Sequence, residues 1–154
     1  MQRMGGVIPP VHLPMDINVV VAPKYARRIS QKDLRAAASR VLAMEQPDAL
    51  QSLSIVVVGD RAMRDYNRRF HNINAATDVL SFPSPIYQDY LGDVIISYET
   101  AKENARRAGW SVRNELELLV VHGVLHLLGY DDTTPKACEE MWRKQAEILG
   151  SVTV

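Results

Sequence analysis

The sequence predicts an α+β domain in which a small, largely four-stranded mixed sheet packs with about five helices. Three observations lead there. A length of 154 residues suits one domain with a real core. Hydrophobic residues make up 47% and charged residues 23%, the balance of a soluble globular protein rather than a disordered, collagen-like or low-complexity chain. Apolar periodicity runs in the order strand, helix, strand, helix, two strands and three helices, with no repeat, linker or second-domain break. Residues 1–154 therefore read as a single domain, with 1–13 expected to be loosely ordered.

The elements follow in order. Ile17 to Val21 is a β-branched run ended by Pro23, which predicts a strand. Ser30 offers an N-cap, and Leu34, Ala37, Ala38, Val41 and Leu42 recur at helical spacing until Pro47 stops the helix. Leu53 to Val58 is almost continuously apolar, which predicts a central strand covered on both faces. Asp60 is expected to cap a helix to about Phe70, with Met63, Tyr66 and Phe70 facing inward. Thr77 to Phe82 and Leu91 to Ser97 read as strands, joined by a loop carrying Pro83, Pro85 and Tyr90 that is too long for a tight hairpin. A helix near Glu99 to Ala108 closes at Gly109, Ser111 caps an apolar helix, and Pro135 starts a last amphipathic helix through Leu149.

Charge and cysteine usage narrow the function classes. Lys plus Arg is 18 and Asp plus Glu is 18, so no global basic field draws the protein to nucleic acid or an anionic membrane. Any RNA contact must come from a local patch. The single cysteine, Cys138, cannot form an intrachain disulfide and has no CxxC partner, which fits a reducing cytoplasm and excludes a structural zinc knuckle. The Pro-broken start (Pro9, Pro10, Pro14) is too short in apolar run for a signal peptide or membrane span.

The stretch that carries chemistry runs from Val121 to Asp132. His122 and His126 stand one helical turn apart on one face and can share a tetrahedral metal. Gly129 can end the helix in the left-handed conformation and bring Asp132 back toward the same point as a third ligand. Asp131 can equally be the ligand or a helix-end turn residue. Two histidines and a carboxylate leave a fourth position open, the arrangement of catalytic rather than structural zinc. The spacing HxxxHxxGxxD parallels the zincin pattern, but Gly123 stands where the zincin general-base glutamate would be, which disfavours a zinc peptidase-like hydrolase. The plain alternative is a pair of core histidines hydrogen-bonded to backbone carbonyls.

Three blocks give the sequence a wider resemblance: Thr77-Asp78-Val79-Leu80-Ser81-Phe82-Pro83, Leu91-Gly92-Asp93-Val94, and His122 through Asp131, followed by the acidic Glu139-Glu140-Met141 and Glu147-Ile148-Leu149 tail. Together these resemble the YbeY family of bacterial endoribonucleases over about Ile17 to Leu149. The resemblance implies a mixed sheet with surrounding helices and one bound Zn²⁺. It also implies a role in 16S rRNA processing and ribosome quality control, with the small ribosomal subunit and an Era-type GTPase as partners. Two positions depart from the family pattern. Asp132 stands where the third ligand is usually histidine, and its negative charge should weaken Lewis acidity relative to a third imidazole. His71 follows Phe70 where the family usually has arginine; an imidazole can stabilise a phosphate when protonated, or serve as acid or base, but it is no guanidinium fork. The plain reading of His71 is a solvated loop histidine.

Arg61, Arg64 and Arg68 form a stripe that can track RNA phosphates if their helix flanks the pocket; a solvated face interspersed with Asp60 and Asp65 is the commoner explanation. Ser81 has no activating base beside it in sequence and reads as a strand-end cap, Asp93 as a turn residue, Trp110 and Trp142 as packing anchors, and Cys138 as a packing residue. The expected function is a zinc-dependent endoribonuclease, with His122, His126 and Asp132 on the metal and His71 and His122 in the chemistry. The alternative is a non-catalytic ribosome-assembly factor with a structural metal.

Overall fold

The computed structural model describes residues 15–46, 51–84 and 89–150. The expected loose start and Pro9, Pro10, Pro14, Pro47 and Pro85 lie outside the described residues. Four strands, β1 (Met15–Val21), β2 (Gln51–Val58), β3 (Val79–Pro83) and β4 (Tyr90–Ser97), form one sheet in the order β1-β2-β4-β3. β1, β2 and β4 run parallel, and β3 pairs antiparallel with β4. Among the described residues five α-helices accompany them: α1 (Gln31–Glu45), α2 (Asp60–His71), α3 (Tyr98–Ala108), α4 (Val112–Leu127) and α5 (Pro135–Gly150). The α+β class and the mixed four-stranded sheet are as expected; a 3₁₀ turn, Pro23–Arg28, follows β1 where only a strand end was anticipated.

The caps explain most of the boundaries. Ser30 and Ser111 each accept the backbone N–H three residues on, from Asp33 at 3.1 Å and Asn114 at 3.0 Å, satisfying donors that a helix start leaves open. Asp60 does not cap α2 as anticipated. Gly59 occupies the cap position, and the Asp60 N–H is taken by Glu99 Oε1 at 2.7 Å while the Asp60 carboxylate accepts from Ser97 Oγ and Thr100 Oγ1. The start of α2 is thus tied to the start of α3, a long-range solution that local sequence does not display. β3 begins at Val79 rather than Thr77; just before it the Asp78 carbonyl accepts the Ser97 N–H at 2.9 Å and the Asp78 carboxylate accepts from Asn104 Nδ2 at 3.1 Å.

The core lies between one sheet face and the helices α1, α3, α4 and α5, with α4 at its centre. Leu53, Ile55 and Val57 of β2 are fully buried there, whereas Ser54, Val56 and Val58 on the other face are only half covered. β2 is therefore interior in strand order but not enclosed on both faces, as its continuous apolar run had suggested. α2 lies against this second face, where Tyr66 and Phe70 share a groove with Ser54, Val56 and Ile95. Met63 is buried as expected, but Phe70 is 59% exposed, and the buried polar residue of α2 is Asn67, whose Nδ2 holds the Ala75 carbonyl. Trp110 and Trp142 are 40% and 61% exposed, so neither anchors the core; Trp110 instead donates to Glu115 Oε1 at 2.9 Å.

Asp93 is a strand residue, opposite Phe82 and bonded by the Tyr90 hydroxyl, and not part of a turn. Pro83 and Tyr90, anticipated in the loop, are the last residue of β3 and the first of β4. Among the described residues no helix is long and apolar enough to cross a membrane.

Candidate metal centre

α4 runs across the sheet at a distance that only glycine permits. A Cβ on Gly123 would lie 2.5 Å from Val94 Cγ1 and 3.3 Å from Ser81 Oγ, inside van der Waals contact. Ser81, in mid-strand and not at a strand end, donates its hydroxyl to the Gly123 carbonyl at 2.9 Å, so β3 is pinned to the helix at the level of the histidines. A glutamate at this position, which a zincin-type base would require, has no room.

His122 and His126 project from the same side of α4, with ring centroids 4.5 Å apart and their Nε2 atoms 3.0 Å apart. Both are half-buried. The Nδ1–H of His122 is donated to Oε1 of the buried Gln145 at 2.5 Å, which leaves the His122 Nε2 lone pair facing His126. Burial first, and the neighbouring His122 second, push the pKa of His126 down, against the opposing pull of Asp132, the Tyr130 backbone and Asp131. A neutral imidazole is the form a metal needs.

Beyond α4, Gly129 takes φ 103°, a left-handed conformation that turns the chain back. Tyr130 then donates to Glu45 Oε1 at 2.6 Å, and Lys144 reaches the other Glu45 oxygen at 3.2 Å, so the turn is tied to both α1 and α5. The bond to Glu45, followed by burial, raises the Tyr130 pKa to about 12. The two acids that follow diverge. Asp131 accepts from the Thr133 N–H and hydroxyl at 3.2 and 3.0 Å, a local Asx turn, whereas Asp132 sits with the histidines, all three ligand atoms lying within 4.8 Å of one another.

This donor set fits a divalent metal such as zinc. Two imidazole nitrogens and a carboxylate converge, and one nitrogen has its tautomer fixed by a buried acceptor, the usual support of a ligating histidine. Gln145 was not singled out in the sequence. Its only signal is a polar residue in helical register with the buried Met141 and Ile148 of α5.

His71 faces the histidines across a cleft of about 280 Å³ that Leu80 and Ser81 also line. It is an exposed residue at the last turn of α2, held by stacking on Phe82 with centroids 5.8 Å apart. Arg61, Arg64 and Arg68 do not line this cleft. They lie along the same helix in a second cleft, toward its N-terminal end. Arg68 pairs with Asp65 at 2.5 Å.

The fold and site define an α+β protein with a candidate metal centre of two histidines and a carboxylate on a central helix. The chain belongs to the YbeY family: a family model described as Endoribonuclease YbeY matches residues 21–153. Curated relatives agree. An Endoribonuclease YbeY of Dehalococcoides mccartyi is 38% identical over 134 residues, an alignment covering 76% of this chain and 84% of that one. A second, from Anaeromyxobacter, is 44% identical over 126 residues, covering 80% of this chain and 62% of that one. The solution structure of a Thermotoga maritima protein shares the fold, with a TM-score of 0.60 at 24% identity over 88% of this chain and 90% of that one.

Proposed function

We propose that this protein is a zinc-dependent endoribonuclease that acts on ribosomal RNA or its precursor, in 16S rRNA maturation and ribosome quality control. The observation that supports this most is the convergence of His122, His126 and Asp132, with both histidines lining a cleft that His71 also lines. The names of the relatives, Endoribonuclease YbeY, supply the substrate class.

His122, His126 and Asp132 would hold one zinc ion per chain. When bound, the ion supplies Lewis acidity toward a phosphoryl oxygen and a lowered proton affinity for water in its open position. The protein's own groups do the rest. Gln145 keeps His122 in the tautomer that presents Nε2, and burial, then the neighbouring His122, shift His126 toward its neutral form. His71, which lines the same cleft, would hold a non-bridging phosphate oxygen or pass a proton to the departing oxygen. Phe82 fixes its ring plane through stacking. The partners in this reading are the small ribosomal subunit and an Era-type GTPase, in the cytoplasm.

The test is cleavage of small-subunit rRNA precursor by extensively purified, zinc-loaded protein. Cleavage that vanishes in His122→Ala and falls by one or more orders of magnitude in His71→Ala supports the reading. Cleavage that persists in His122→Ala overturns it. Tight, metal-independent association with small-subunit particles without cleavage would instead identify an assembly factor.

A further inference from the structure

The cleft that holds the arginine stripe has about 850 Å³ of space and lies at the carboxyl ends of all three parallel strands. Its walls are Lys24 and Tyr25 just after β1, Gly59 and Arg61 just after β2, and Glu99 just after β4. In open parallel sheets this is the place where ligands bind, because the chain leaves each strand there and the helix starts present their N–H groups. Here the nearest start is closed: Glu99 already accepts the Asp60 N–H, and its charge also raises the Tyr25 pKa beside burial. A ligand would have to be held by side chains.

Those side chains are cationic, and the acids among them are already engaged. Asp65 is shared by Arg68 at 2.5 Å and Arg69 at 3.6 Å, and Glu99 is held by the α2 backbone. Among the described residues, Lys24, Arg61 and Arg64 enter no ion pair with either acid, and both arginines are exposed. Arg61, Arg64, Arg68 and His71 follow one another by three, four and three residues, so they occupy one face of α2, and the stripe ends on the residue that lines the metal cleft. From Arg61 to His71 the helix rises about 15 Å, ten residues at ~1.5 Å each.

We propose that this second cleft is a phosphate-binding groove that holds the RNA backbone away from the scissile bond, with Arg61, Arg64 and Lys24 as its contacts and the exposed face of α2 as the track to the metal centre. The proposal rests on the endoribonuclease reading and adds to it a separate anchoring site. With a net charge of zero, a polyanion would be drawn by a local concentration of cations such as this one, in which Arg61 and Arg64 are exposed and the Lys24 ammonium lies 5.7 Å over the Tyr25 ring.

The test measures binding of a fluorescently labelled single-stranded RNA of about 12 nucleotides to zinc-loaded protein, by anisotropy over a series of salt concentrations. Arg61→Ala/Arg64→Ala is compared with wild type and with Arg106→Ala/Arg107→Ala, which removes the same charge from the exposed end of α3. Loss of two phosphate contacts should make the slope of log K against log salt shallower by about 1.4 and weaken binding about tenfold, with the α3 control unchanged. If the variant matches wild type, the groove is overturned while the endoribonuclease reading stands. If the α3 control loses as much, net charge and not the groove is responsible, which also overturns it. Wild type that binds no RNA overturns both readings.

Discussion

Gln145 accepts the Nδ1–H of His122 across 23 residues of sequence, at 2.5 Å, and is itself 97% buried, with only 3% of its surface exposed. One amide on the last helix thus decides which nitrogen of a histidine on the central helix faces the metal site. Gln145→Leu removes the acceptor and leaves the tautomer free. Zinc affinity is expected to fall about 10- to 100-fold, measured by competition with a chromophoric chelator. Gln145→Glu keeps an acceptor and should keep most of the affinity. Equal affinity in wild type and Gln145→Leu would show that the contact does not support the site.

Gly123 sets the approach of α4 to the sheet. Gly123→Ala drives a methyl against Val94 Cγ1, and unfolding in urea should show a loss of about 1–3 kcal/mol. Combining it with Val94→Ala, which removes the opposing methyls, should cost less than the sum of the two single changes. Strict additivity would mean that the two residues do not press on each other.

Glu115 gives a pH signature. It is buried in the first turn of α4, and burial, with Asp78 adding to it, raises its pKa against the lowering bond from Trp110. A carboxyl whose folded pKa is raised binds its proton more tightly in the native state. Its contribution to stability is therefore fully present below the unfolded value, near 4.5, and is lost as pH rises through the higher folded one. Glu115→Gln keeps an acceptor for Trp110 and removes the titration. Its Tm relative to wild type should be higher at pH 7 than at pH 4, and a difference independent of pH would contradict the assignment.

The strand and helix order was legible because each element carries its own period and its own cap. Ser30, Ser111 and Pro135 mark helix starts in the sequence, and the same residues do so in the structure. The histidine pair was legible for the same reason, since spacing on one helix is local information. What escaped were relations between distant segments. Asp60 has the composition of a cap, yet Glu99, 39 residues on, takes the N–H that matters. Phe70 has the spacing of an inward residue, yet it remains 59% exposed beside Phe82, at the end of the helix that lies against that sheet face. Gln145 carried only a faint mark, its helical register with Met141 and Ile148, and nothing local tied it to His122. The choice between Asp131 and Asp132 lay beyond sequence because it depends on which carboxylate the Thr133 turn consumes.

The account turns on His122, His126 and Asp132 holding one metal ion. Its most direct test is the zinc content of wild type, His126→Ala, Asp131→Ala and Asp132→Ala after reconstitution and exhaustive desalting. About one zinc per chain should remain in wild type and Asp131→Ala, and be lost from His126→Ala and Asp132→Ala. Full retention by Asp132→Ala, or a wild type that holds no zinc, would contradict it.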